Sequence, residues 1–229
     1  AAGWSIKAIH REIVLSATYR LAGDDDPRRA ALDPDDRWLW RFPRRRLDAE
    51  AIRDALLAVA GRLDRAPPGA HPFPPIAAWN WTQHSPFKAV YPSNHRSVYL
   101  MTQRIQRHPF LVLFDGPDPN VSTDVRTSAT VPLQSLYLMN NPFVAEQAGA
   151  FAQRVFDLCQ EPVARIDLAH LLAYARPARQ AEREHGAAYL RAYQQELARS
   201  GVADDAAEAE AWTSYARVLL TANEFVYLD

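Results

Sequence analysis

Residues 104–143 read RIQRHPFLVLFDGPDPNVSTDVRTSATVPLQSLYLMNNPF, setting an apolar segment, a polar Asp/Pro/Asn turn and a Pro- and Asn-marked helix start side by side. Thr130 begins a helix with Pro132 in its first turn, where a missing N–H costs nothing. The pattern breaks at Asn140-Asn141-Pro142, where Asn141 can cap a second helix that has Pro142 at its first position. That second helix carries Phe143, Val144, Ala148, Phe151, Val155 and Leu158 at helical spacing as a buried side. These signals predict helices joined by stiff, capped turns.

Working outward, the same logic repeats. Toward the N-terminus, Ile6, Ile9, Ile13, Val14 and Ala17 predict a helix from about Ser5 to Arg20, ended by Asp24-Asp25-Asp26-Pro27. A turn at Asp33-Pro34-Asp35 precedes WLWRFP, whose Trp38 and Trp40 are expected to plug against the next helix. That helix is the clearest in the chain. Asp48 is its N-cap, Leu47 and Ile52 form a hydrophobic staple, and Ile52, Leu56, Val59 and Leu63 line one face until Gly61 weakens the last turn. Between residues 66 and 96, prolines at 67, 68, 72, 74, 75, 86 and 92 exclude a regular helix. Only SVYLMT, residues 97–102, reads as a strand.

Toward the C-terminus two or three more helices are separated by Pro162, Arg176-Pro177 and Gly201. The acidic run ADDAAEAEA suits a helix N-terminus, where carboxylates meet the positive end of the macrodipole. In the last helix Trp212, Tyr215, Leu219 and Asn223 share a face. The predicted class is mainly α: one multi-helix domain over residues 1–229, with one Pro/Trp-rich irregular excursion at about 66–96 and at most a short strand pair.

A chain of 229 residues buries ~70% of the surface its unfolded form exposes, so neither a metal nor a disulfide is required for stability. Lys+Arg 26 against Asp+Glu 27 gives a net charge of −1, which argues against nucleic acid or an anionic membrane as partner. No apolar run approaches the ~20 residues of a membrane span. The single cysteine, Cys159, forms no internal disulfide and reads as a small buried hydrophobe on a helix. The chain opens AAGWSIK, without Met, and is expected to be the C-terminal piece of a longer protein.

The block at 104–143, with GWSIKAIHREIVLSATYR at 3–20, RWLWRFPRRRLDAEAIRDALLAVAGRLD at 37–64, RSVYL at 96–100 and ARVLLTANEFVYLD at 216–229, resembles the C-terminal domain of unknown function that accompanies cytochrome-c modules in large planctomycete proteins. Departures lie at Pro67–Trp81 and Ala178–Glu210, and the cysteine that many relatives carry in the loop matching Val121–Val125 is absent. The resemblance implies an accessory or assembly domain exported to the periplasm or cell surface, partnered by other domains of the same polypeptide. It also implies haem c on an N-terminal module. This chain has no C-x-x-C-H, and no cofactor is expected on it.

In DGPDPN, Asp115, Asp118 and Asn120 either cap a Pro-stiffened turn through their own backbone or offer oxygens to a ligand. The spacing lacks the alternation and terminal glutamate of a helix-loop-helix calcium site, and no metal is predicted. Arg104, Arg107 and Arg126 flank the loop and can pair with its carboxylates. In the functional alternative, Arg104, Asp115, Asp118, Asn120, Arg126 and Gln134 line a polar-ligand or carbohydrate pocket of an enzyme acting on an extracellular polymer, with Trp79 or Trp81 at its rim as a stacking face. Arg41, Arg44, Arg45 and Arg46 abut Asp48 and Glu50, which predicts ion pairing along the helix. There is no H-E-x-x-H, no G-x-S-x-G and no Gly-rich phosphate loop. A closed salt-bridge network would favour the accessory domain, and an open cleft the enzyme.

Overall fold

A computed structural model describes residues 3–71, 73–79 and 87–228. Helices dominate. Among the described residues there are ten α-helices and one two-stranded antiparallel sheet, as the mainly-α reading predicts. The chain divides into two units, residues 1–47 with 226–229, and residues 48–225.

In the first unit, Ser5 accepts from the Ala8 amide at 3.4 Å and starts α1, Ile6–Leu15. The helix stops five residues short of the predicted Arg20. Ser16 Oγ donates to the Ile13 carbonyl at 2.7 Å and accepts from the Tyr19 amide at 3.2 Å, replacing helical bonds with a side-chain turn. The Asp24–Pro27 turn also starts a short helix that the sequence reading missed: Asp26 caps α2, Pro27–Leu32, with Pro27 in its first turn. Next, the Asp33 carboxylate accepts from the amides of Arg37 and Trp38 at 3.0 and 2.8 Å, and its carbonyl takes the Trp40 indole N–H at 2.9 Å. This wiring leaves Trp38 78% exposed, so it is not the expected plug. Strand β1, Arg45–Arg46, pairs with β2, Tyr227–Leu228.

In the second unit, α3, Ala49–Val59, buries Ile52, Leu56 and Val59 as its spacing predicts and Leu57 beside them, while Leu63, expected on the same face, lies past the helix end and is half-buried. Asp48 occupies the N-cap position, without a side-chain cap bond. The helix ends because Gly61 takes φ +74°: its amide bonds the Ala58 carbonyl, and the Arg62 amide reaches back to Leu57 at 2.8 Å. That pair of bonds is a Schellman motif, and the positive φ is why glycine sits there. Residues 97–102 are not a strand. Ser97–Tyr99 forms a 3-10 turn, because the Ser97 amide is taken by the Asp54 carboxylate at 2.7 Å and the Leu100 amide by the Ser97 carbonyl at 3.0 Å. The described part of the Pro-rich excursion carries one further 3-10 turn, Ile76–Ala78.

Helix α4, Pro109–Leu113, leads into the Asp115 loop, and α5, Pro132–Asn140, follows it. Asn141 then accepts from the Phe143 amide at 2.9 Å and opens α6, Pro142–Leu158, as read from the sequence. Helices α7 (Pro162–Tyr174), α8 (Gln180–Arg199), α9 (Asp204–Thr221) and the short α10 (Asn223–Val226) complete the order. The core lies where α6 and α8 pack on α9, around Phe151, Val155, Ala211, Trp212, Leu219 and Leu220. Leu158 is 60% exposed in the last turn of α6, Asn223 is exposed outside α9, and Cys159 is the half-buried C-cap of α6, its Sγ 3.4 Å from the Glu161 carbonyl oxygen. All three depart from expectation because the helix ends turn away from the core stripe.

Candidate functional site

The residues predicted to form one polar cluster fall into separate places. Asp115 follows α4 at φ +60°, and its loop closes the helix: the Asp115 amide bonds Val112 and the Gly116 amide bonds Leu111 at 2.6 Å. This is a second Schellman motif, here with aspartate at the left-handed position, which Asp tolerates better than most residues. The Asp115 carboxylate accepts from the Ala129 amide at 2.9 Å. Buried Gln134 completes the closure by donating to the carbonyls of Leu113 at 2.9 Å and Ala129 at 3.0 Å and accepting from Val131. Asp115 and Gln134 thus stitch the two ends of the loop together across fourteen and more residues.

Asp118 turns back on its own backbone, taking the amide and the side-chain amide of Asn120 at 2.9 and 3.0 Å, with Arg107 at 3.3 Å. These contacts, the Asn120 amide first, hold its carboxyl below the usual carboxylate range. Asn120 also donates to the Arg104 carbonyl at 3.0 Å, so Arg104 enters through its backbone and its side chain is exposed. The cavity against this loop measures about 10 Å³, room for no more than a water.

Arg126 leaves the loop altogether. It grips Glu50 with two bonds of 2.7 Å and approaches Asp48 at 3.6 Å, so it is the cation at the α3 N-terminus. The bond to Arg126 lowers the Glu50 pKa. The Arg41 guanidinium pairs with Asp25 and lies over the Trp40 ring, not along α3, because it precedes the β1 strand rather than the helix face. Trp79 donates its indole N–H to the Pro74 carbonyl at 2.9 Å and meets Phe87 edge-on at 5.2 Å, anchoring its own proline-rich loop. Trp81 lies outside the described residues.

A different set of residues, which sequence reasoning missed, lines a cavity of about 430 Å³ in the second unit. Arg53 of α3 enters it from the helix's apolar stripe, 6% exposed, between Ile52 and Leu56. Its guanidinium donates to the His95 carbonyl at 3.1 Å, to Ser97 Oγ at 3.2 Å and to the Ser93 carbonyl, while the nearest Asp54 oxygen stands 4.0 Å away. His108, at the N-cap position of α4, and Gln147 of α6 are buried in the same wall. Neither the His108 Nδ1 nor the Gln147 Oε1 meets a hydrogen-bond partner among the described residues. Tyr137 of α5 packs on Phe110 and Phe114 at 5.5 and 5.9 Å, and Phe143 faces the Arg53 guanidinium at 5.5 Å. The visible signal was a charged or amide residue inside an apolar helical stripe, Arg53 beside Ile52 and Gln147 beside Val144 and Ala148.

A third polar cluster holds α7, α8 and α10 together. Arg176 forks to both Glu182 and Glu224 at 2.6–2.8 Å, and buried His170 sits 3.1 Å from the Tyr215 hydroxyl. Arg176 draws the Glu182 pKa down to about 2, and burial pushes Tyr215 up to about 12. Gly186 admits the Tyr215 hydroxyl, since a Cβ there would lie 2.7 Å from it. Among the described residues no group of three or more His, Cys, Asp or Glu side chains could hold a metal ion.

This helical architecture defines a mainly-α domain. The family described as PSD1, protein of unknown function (DUF1553), matches residues 1–190, and the chain belongs to it. No curated protein matches the chain, and neither does any solved structure. No described helix is long and apolar enough to cross a membrane.

Proposed function

We propose that the chain is an accessory or assembly domain, without chemistry of its own, of a longer exported polypeptide that also carries a cytochrome-c module. In this reading any haem c belongs to that other module, and the partners are neighbouring domains of the same polypeptide. The observation that supports the non-catalytic role is the occupation of the Asp115 and Gln134 side chains by backbone groups of Leu113, Ala129 and Val131. A residue whose oxygens and amide hydrogens are consumed in closing a loop is not presented to substrate. The loop is a structural clasp.

A thermal-shift screen against divalent cations and oligosaccharides, run on wild type and on the Asp115→Ala, Asp118→Ala double variant, tests this. The variant is expected to melt several degrees earlier, with no ligand moving either protein. A ligand shift present in wild type and lost in the double variant would replace the clasp with a polar-ligand pocket and favour an enzyme acting on an extracellular polymer. Secretion of the full-length polypeptide and its haem absorbance check the exported and cytochrome-linked parts separately.

A further inference from the structure

We propose that the cavity between α3, α4, α5 and α6 binds a small hydroxycarboxylate, with Arg53 facing its carboxylate and His108 and Gln147 receiving its hydroxyl groups. The cavity is separate from the Asp115 clasp and does not depend on the accessory-domain reading.

Three observations converge on that ligand. The first is charge. Arg53 is buried among carbonyl and hydroxyl oxygens that carry no full negative charge, and its nearest carboxylate, at 4.0 Å, also accepts the Ser97 amide. A buried cation so incompletely neutralised favours an anion in the adjoining space. Burial holds the Arg53 pKa below its ordinary value, the direction expected of a cation without a close counter-charge. Glu146 also lines the cavity, but it pairs with Arg62.

The second is hydrogen bonding. Gln147 is 1% exposed and His108 8% exposed, yet Gln147 Oε1 and His108 Nδ1 have no partner among the described residues. Leaving such atoms unmet forfeits their hydration without a replacement bond, so two in one cavity wall mark a place where a partner arrives from outside the chain. The Gln147 oxygen can only accept, which requires a hydroxyl or N–H on the ligand. Burial, reinforced by the Arg53 charge, lowers the His108 pKa, so its imidazole is neutral and one nitrogen accepts as well.

The third is shape. The volume of about 430 Å³ falls within the range of small-molecule sites, and Tyr91, Phe110, Tyr137 and Phe143 supply aromatic walls for the ligand's carbon body. A neutral sugar would leave Arg53 unanswered, and a simple fatty acid would leave Gln147 unanswered.

The test is calorimetric and NMR titration of the purified chain with mandelate and glucuronate, against mandelamide as the uncharged control. At least one acid is expected to bind saturably, and Gln147→Met to weaken it about tenfold or more while melting at or above the wild-type temperature, because an unmet buried oxygen has been removed. His108→Phe, which removes the other unmet acceptor of the cavity wall, is the second variant and should weaken binding several-fold. Absence of binding by both acids, or affinities unmoved by both variants, overturns the site. Equal binding of mandelamide overturns its assignment to an anion.

Discussion

Asp115 performs two tasks that alanine cannot combine. Its backbone occupies the left-handed region at the end of α4, and its carboxylate holds the Ala129 amide. Asp115→Asn retains both and is expected to fall within about 0.5 kcal/mol of wild type in urea melts. Asp115→Ala loses the hydrogen bond and sits strained at positive φ, for a loss of about 2–4 kcal/mol. Next to it, a Cβ on Gly116 would lie 2.8 Å from the Leu111 carbonyl oxygen, a backbone atom that cannot swing aside. Gly116→Ala is therefore expected to cost about 1–3 kcal/mol, although its φ is not positive. Much of this was legible in DGPDPN, where Asp and Asn next to proline and glycine signal turn capping. Which amide Asp115 would reach, fourteen residues away, was not, since that depends on how α4 and α5 pack. For the same reason sequence proximity points Arg126 to the wrong carboxylates: Glu50, its partner, lies 76 residues away in sequence.

At the scale of elements, α3 depends on a side chain from another helix. Its last carbonyls, Ala58 and Val59, accept from the Arg154 guanidinium of α6 at 2.9 and 2.7 Å. Helix C-termini carry partial negative charge, and a cation placed there answers the charge, takes up the Val59 carbonyl and adds a second bond to Ala58 beside that of Gly61. Arg154→Ala is expected to destabilise the chain by about 1–3 kcal/mol and to raise amide exchange in the last turn of α3; Arg154→Lys recovers only part, lacking the fork. Helix starts are readable from the sequence at Asn141 with Pro142 and at the acidic beginning of α9, whereas Gly61, expected only to weaken the last turn of α3, ends it. Boundaries set by side-chain competition were not. Ser16 shortens α1, and Asp54 converts SVYLMT from an expected strand into a 3-10 turn by taking the Ser97 amide. Propensity favours β for Val98 and Tyr99, but the carboxylate across the turn decides.

For the whole molecule, the helical class followed from proline and cap spacing, while the cavity around Arg53 required five distant segments to meet. Stability should depend on pH in two windows. His170 and His108 have folded pKa values lowered chiefly by burial, so the unfolded chain takes up protons first as pH falls below about 6.5, and stability drops there. Glu182 has a folded pKa lowered to about 2 by Arg176, so its contribution is complete above the unfolded value near 4.5 and is lost as pH falls toward 2. That contribution is on the order of 2 kcal/mol, discounted for partial exposure. Glu182→Gln should therefore flatten the acid limb of a stability–pH curve, and His108→Phe with His170→Phe the limb just below neutrality.

Amide hydrogen exchange at Ala129, followed by NMR in wild type and in Asp115→Ala, tests the central claim that the 115–129 loop is a closed structural clasp. The clasp predicts a slowly exchanging Ala129 amide in wild type and a protection loss of at least about tenfold in the variant, with no added ligand needed for either. An Ala129 amide that exchanges freely in wild type, and becomes protected only when a cation or oligosaccharide is added, would contradict it.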